Sequence, residues 1–257
     1  MQQGSERWRG RVALVTGASS GIGQAIAERL AIVEGMKVAI CARRDDRLAR
    51  LRKTIRARKS DAEVLPIACD LRNEAAIGVM FESIRTRWGG VDVLVNNAGV
   101  GLRAPLMTGP TEHWRAMLEL NVLALCICTR EAVTDMRSRG DDGHVIHVSS
   151  MAAHRVPPDS GVYSASKFAV RSLLEGLRLE LRAAGSDIRV SAISPGYVET
   201  EFAQTYAHGD AEHARATYSR FPVLQAEDIA DMVAYALRAP PHVQIHDLLV
   251  RPTRQPS

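Results

Sequence analysis

Short apolar runs alternate with amphipathic segments along almost the whole chain. The runs at 12–15, 38–41, 64–68, 93–95, 145–148, 189–193 and 245–250 are rich in Val, Ile, Leu and Ala. They are too short for helices, so each predicts a strand. Between them apolar residues recur at three- and four-residue spacing over 22–34, 45–58, 73–87, 111–137, 161–184 and 226–238, which predicts helices. Strand and helix taking turns in this way implies βαβ units and a parallel sheet. The strands show little polar alternation, as expected when helices cover both sheet faces. The expected fold is α/β: one doubly wound parallel sheet of about seven strands in a single domain spanning 1–257. One stretch, about 194–225, is too long and irregular for a plain connection and is expected to form a lid.

The first strand runs directly into Thr16-Gly17-Ala18-Ser19-Ser20-Gly21-Ile22-Gly23 and then a helix. Glycines there permit a sharp turn and let backbone N–H groups approach a pyrophosphate at a helix N-terminus, which makes the sheet Rossmann-like. Gly17, Ser19, Ser20, Gly21, Ile22 and Gly23 are therefore candidate cofactor contacts. A site for NAD places an acidic residue after the second strand to hold the ribose hydroxyls. That place reads Ala42, followed by Arg43 and Arg44. A guanidinium suits a 2′-phosphate instead, so the expected cofactor is NADP(H). Asp70 and Leu71 follow the third strand, and Asn96-Asn97-Ala98-Gly99 follow the fourth. Ligands of open α/β sheets bind at these carboxyl ends, although Asp70 could equally be a helix N-cap.

Further along stand Tyr163-Ser164-Ala165-Ser166-Lys167 on an expected helix, with Ser149 and Ser150 ending the fifth strand. Residues four apart share a helix face, so phenol and ammonium can reach one ligand. Free tyrosine has a pKa of about 10. A fixed positive charge nearby lowers it and makes the phenol an acid/base near neutral pH.

In joint order, TGASSGIG, NNAG, Asn121, Ser150, YSASK, Pro195-Gly196 and Thr200 resemble the short-chain dehydrogenase/reductase family, over nearly the whole chain. The resemblance implies that Tyr163 is the catalytic acid/base and that Ser150 hydrogen-bonds the substrate oxygen. It further implies that Lys167 binds the nicotinamide ribose and lowers the tyrosine pKa, and that Asn121 holds a proton-relaying water. Asn97, Ala98, Gly99, Pro195, Gly196, Val198 and Thr200 join the cofactor contacts by the same likeness. On this reading 11–150 form the cofactor half and 150–257 the catalytic and substrate part. Closer likeness in 6–11, 121–132, 141–158, 193–203 and 242–255 is to an NADP-dependent subgroup acting on steroid, isoprenoid and other apolar carbonyls or alcohols. The expected pocket is formed by Met151, Val156, Pro157, Tyr197, Phe202, Tyr206 and Phe221. Four of these seven are aromatic in a chain with four Phe, three Trp and five Tyr, a concentration suited to a small-molecule site.

Composition narrows the alternatives. A 46% hydrophobic and 24% charged chain of 257 residues is neither disordered nor fibrous. The net charge is +4, yet nine basic residues face two acidic ones between Arg43 and Lys59. Leu48, Leu51 and Ile55 recur at helical spacing within that run, so it reads as a helix with a solvated cationic face rather than a nucleic-acid site. Cys41, Cys69, Cys126 and Cys128 form no C-x-x-C pair, and His144 and His147 point to opposite faces of a strand, so no metal is expected. The polar N-terminus has no apolar core, no run is long enough for a membrane span, and the free thiols suit a reducing cytoplasm. Surplus apolar positions in 111–137 and 161–184, among them Leu118, Leu120, Leu123 and Leu125, predict a homodimer or homotetramer. Two other functions fit the same residues: a reductase of 3-oxoacyl groups on acyl carrier protein, and a dinucleotide-sensing scaffold.

Overall fold

All seven expected strands form, and they join one parallel sheet. The structure is a computed structural model that describes residues 6–256. The strands are β1 (Val12–Thr16), β2 (Lys37–Ala42), β3 (Val64–Ala68), β4 (Val93–Asn96), β5 (His144–Val148), β6 (Arg189–Pro195) and β7 (Asp247–Val250). They lie in the order β3-β2-β1-β4-β5-β6-β7. Every pairing is parallel, with Ala13 opposite Val38 on one side and Val93 on the other. The chain moves outward from β1 to β3 and then crosses back to β4. Strand order therefore reverses between β1 and β4, where open α/β sheets form their ligand crevice.

The helices are α1 (Gly21–Ile32), α2 (Asp45–Arg58), α3 (Glu74–Trp88), α4 (Thr111–Leu118), α5 (Ala124–Ser138), α6 (Gly161–Ala183), α7 (Phe202–Tyr206), α8 (Ala211–Tyr218) and α9 (Ala226–Arg238). Side chains alternate across each strand and build two cores. Ala13 and Val15 pack with Ile26, Leu30, Leu48, Ile55, Val233 and Leu237 of α1, α2 and α9. Val12 and Leu14 pack with Ile77, Phe81, Cys128, Ala132, Leu174 and Leu181 of α3, α5 and α6. In the basic helix α2, only Leu48, Leu51 and Ile55 are buried. Each such side chain contributes about 1.5–3 kcal/mol, enough to hold the segment while its guanidinium groups stay in water. No helix among the described residues is long and apolar enough to cross a membrane.

Two stretches differ from expectation. The single helix expected over 111–137 is interrupted by a π-helical turn, Glu119–Leu123, between α4 and α5. The stretch 194–225 is not irregular throughout: it holds α7 and α8, the second capped by Asp210, whose carboxylate accepts from the N–H groups of Glu212 and His213.

Candidate active site

The carboxyl ends of the strands open into one cavity of about 860 Å³. Every expected catalytic and cofactor-binding residue lines it except Asn121, which is buried behind it. The glycine loop owes its shape to specific contacts. Gly17 and Gly21 have φ of +68° and +55°, a region that side chains disfavour. A Cβ on Gly23 would overlap Asn97 Nδ2 and lie 2.5 Å from the Gly17 carbonyl oxygen. Asn97 Nδ2 in turn donates to the Thr16 and Gly17 carbonyls at 2.8 and 3.3 Å, so the end of β4 is fastened to the loop after β1. Ser20, at the N-cap of α1, makes no side-chain cap bond, and the first turn has no acidic residue. That leaves a positive helix end beside the cavity, which fits a pyrophosphate.

At the adjoining end, Arg43 is exposed, lines the cavity and forms no hydrogen bond or ion pair among the described residues. Arg44 donates to Ser19 Oγ at 2.9 Å and Ser20 Oγ at 3.1 Å, and pairs with Glu201 at 3.3 Å. Arg47 pairs with the other Glu201 oxygen at 2.6 Å. Those hydrogen bonds, from Arg47 first, hold the Glu201 carboxyl below its ordinary range despite partial burial. The Asp70 carboxylate is turned onto the Arg72 guanidinium, whose hydrogen bonds push its pKa down to about 2. It is not a helix cap, because Asn73 fills that role for α3, accepting from the Ala76 N–H.

Helix α6 carries Tyr163 and Lys167 on one face. Lys167 is buried and donates to the Val148 carbonyl at 3.1 Å, with its Nζ 6.0 Å from the Tyr163 ring centre. Ser150 Oγ accepts from the Ala152 N–H at 3.1 Å and also hydrogen-bonds Tyr163. Asn121 sits in the π-helical turn and is locked by three bonds. Its Oδ1 accepts from the Val100 N–H at 2.8 Å, while its Nδ2 donates to the Val100 carbonyl at 2.8 Å and to Ser166 Oγ at 3.0 Å. A Cβ placed on Gly99 would lie 3.3 Å from Asn121 Oδ1 and 3.6 Å from Lys167 Nζ, so these two groups flank the same small gap.

Without cofactor, burial dominates the electrostatics of this pair. Burial pushes Tyr163 up to about 12, opposed only by the Ser150 hydrogen bond and reinforced by Tyr206. Burial likewise pushes Lys167 down to about 8. Both groups are thus held toward their neutral forms by desolvation.

Residues 11–211 match the family model described as short chain dehydrogenase. The chain belongs to the short-chain dehydrogenase/reductase family. It is 51% identical over 98% of its length to all of dehydrogenase/reductase SDR family member 11 of Gallus gallus. It is 41% identical over 96% of its length to 98% of the farnesol dehydrogenase of Aedes aegypti. Among solved structures it superposes on the closed form of a serine dehydrogenase complexed with NADP+, with a TM-score of 0.89, 34% identity and 96% of each chain covered. It also superposes on a Burkholderia phymatum family member in complex with NAD, with a TM-score of 0.84, 30% identity, and 94% of this chain and 89% of that one covered. This short-chain dehydrogenase/reductase is therefore an oxidoreductase, and its fold binds a nicotinamide dinucleotide.

Several contacts within the short-chain dehydrogenase/reductase framework had no motif to announce them. Thr16 Oγ1 accepts from the N–H groups of Asn97 and Ala98, both at 3.0 Å. Gln255, near the C-terminal end, is buried, accepts from the Tyr197 N–H at 3.0 Å and leaves no room for a side chain on Gly196. Of the expected pocket residues, Met151, Pro157, Tyr197, Phe202 and Tyr206 line the cavity. Val156 instead faces solvent, and Phe221 packs on Tyr197 with ring centres 6.1 Å apart. Phe202 and Tyr206 of α7 lie 5.4 and 6.4 Å from the Tyr163 ring, so the stretch expected to be a lid rests on the phenol itself.

Proposed function

We propose that this protein is an NADP(H)-dependent oxidoreductase interconverting a carbonyl and a secondary alcohol on a mainly apolar substrate. The observation that carries this reading is the convergence of Ser150, Tyr163 and Lys167 in a cavity continuous with the glycine loop and Arg43. Pyrophosphate would be held by the N–H groups from Ser19 to Gly23, and the nicotinamide end by Asn97, Lys167 and the segment from Pro195 to Thr200. When bound, the nicotinamide supplies or accepts the hydride. Tyr163 gives its hydroxyl proton to the carbonyl oxygen in reduction and takes a proton from the alcohol in oxidation. Ser150 holds the same oxygen in place. Lys167 binds ribose hydroxyls and, with a water ordered by Asn121, returns a proton to the phenol.

NADP(H) is preferred because Ala42 leaves no carboxylate to repel a 2′-phosphate and Arg43 offers an unengaged guanidinium to receive it. The aromatic side chains over Tyr163 make the substrate end apolar, in line with the farnesol dehydrogenase relative. The whole chain acts as one domain, and the protein works as a homo-oligomer in a reducing compartment. The test is a panel of ketones, aldehydes and alcohols followed by nicotinamide absorbance. Steroid, isoprenoid or aryl ketones are expected to be reduced with NADPH at higher kcat/KM than pyruvate-sized keto acids. Better turnover of the small keto acids, or equal use of NADH, defeats the reading.

A further inference from the structure

The cavity is lined by six arginines and three carboxylates. Each carboxylate is already engaged: Asp70 by Arg72, Asp159 by Arg103 at 2.7 Å, and Glu201 by Arg44 and Arg47. That leaves the side chains of Arg43, Arg155 and Arg220 with no hydrogen bond or ion pair among the described residues. Arg43 stands at the end of β2, where the 2′-phosphate belongs. The other two stand elsewhere.

Arg155 follows the 3-10 turn Met151–Ala153 that starts after Ser150, and its Nε is buried with no partner. Its neighbour His154 reaches Ser194 of β6 at 3.4 Å and Asp247 of β7 at 3.0 Å, which places this turn toward the β6–β7 edge. The glycine loop lies three strands away at the end of β1, and Arg43 four strands away. At about 4.8 Å per strand, these separations are roughly 14 and 19 Å. Arg155 is thus on the far side of Ser150 from the dinucleotide's phosphates. Arg220 approaches from the segment after α8, beside Phe221, which packs on Tyr197. Burying an unpaired guanidinium N–H is unfavourable, and an arginine fork matches a carboxylate in two parallel hydrogen bonds.

We propose that Arg155, assisted by Arg220, anchors the carboxylate of an amphipathic substrate, so that the substrate is an apolar keto or hydroxy acid. Its reacting carbon sits at Ser150 and Tyr163, its apolar body runs along Met151, Pro157 and Tyr197, and its carboxylate lies at the β6–β7 edge. This rests on the carbonyl–alcohol reading above and narrows it.

The test compares matched pairs of apolar ketones of graded length, each with and without a terminal carboxylate, in wild type, Arg155→Met, Arg155→Lys and Arg220→Met. Wild type is expected to favour the carboxylate member of at least one pair by about 10- to 100-fold in kcat/KM, mainly through KM. Arg155→Met should lose that margin, Arg155→Lys should recover part of it, and Arg220→Met should reduce it. Equal or better turnover of every neutral member by wild type overturns the proposal, and so does an Arg155→Met loss of the same size on both members. If Arg155→Met does not fold, the wild-type comparison and Arg220→Met still decide. Calorimetric titration of saturated fatty carboxylates into the NADP+-loaded protein separates this proposal from the reaction it rests on. Binding that needs Arg155, with no ketone turned over, keeps the anchor and removes the reaction; turnover without such binding does the reverse.

Discussion

At the residue scale, Tyr163 and Lys167 show how burial shifts a phenol and an ammonium on one helix face toward their neutral forms. Tyr163→Phe retains the ring that packs on Phe202 and Tyr206 and deletes only the ionisable hydroxyl. Turnover should fall by about 10²–10⁴-fold, while circular dichroism and cofactor titration stay close to wild type. A loss below tenfold would show that another group carries the proton. Lys167 makes the complementary prediction about stability. Its folded pKa, near 8, lies below the ordinary lysine value of 10.5. Between those values the unfolded chain binds the extra proton, so stability rises with pH across that window. Below it, the folded protein carries the penalty of a desolvated ammonium. Lys167→Met should therefore melt at an equal or higher temperature than wild type near neutral pH without cofactor, and the advantage should shrink toward pH 10. A melting temperature well below wild type near neutral pH would contradict the desolvation argument. The four-residue spacing of these two residues was legible in the sequence because helical periodicity brings them to one face. The Thr16 and Gln255 contacts were not, since their partners lie 81, 82 and 58 residues away along the chain and no local spacing encodes them.

At the scale of elements, strands and most helices were readable from hydrophobic period, and the places that resisted are those where the site is built. The periodicity over 111–137 is continuous, but the backbone inserts a π-helical turn at Glu119–Leu123 that buries Asn121 against Val100 and Ser166. Hydrophobic patterning does not report a change from four- to five-residue hydrogen bonding, because the apolar face persists through it. The stretch 194–225 hid α7 and α8 for the opposite reason: both are too short for an apolar stripe to recur over several turns. The proposed preference for NADP(H) also belongs to this scale, since it rests on the junction between β2 and α2. Arg43 is unengaged, whereas Arg44 is already shared among Ser19, Ser20 and Glu201. Arg43→Ala should therefore raise the KM for NADPH by about tenfold or more and leave that for NADH little changed. Steady-state kinetics with each cofactor provides the check, and equal shifts for both would move the 2′-phosphate contact to Arg44.

At the scale of the whole molecule, the remaining question is what covers the apolar surface that the two cores leave outside. The four leucines singled out in the sequence divide. Leu125 is buried, and Leu120 packs against the α3–α5–α6 core. Leu118 and Leu123, by contrast, are 46% and 56% exposed at the junction of α4 and α5. Helix α6 adds Phe168 and Leu179, 41% and 61% exposed. Their eleven-residue separation is close to three helical turns, which aligns them on one face. Scattered exposed leucines need no explanation, but apolar side chains in rows on long helices are the usual make-up of an interface. A two-fold axis would let the same face meet itself and close the assembly. Such pairing would also stiffen α6, which carries Tyr163 and Lys167, so assembly and activity should be linked. Light scattering at micromolar concentration should give two or four times the 28.1 kDa chain mass. Phe168→Glu combined with Leu179→Glu places charge on that face without entering either core. It should shift the mass toward one chain and lower kcat more than it raises the KM for NADPH. A monomeric mass for the wild-type protein would mean that these rows face water in solution and that α6 is held in place by its own core alone.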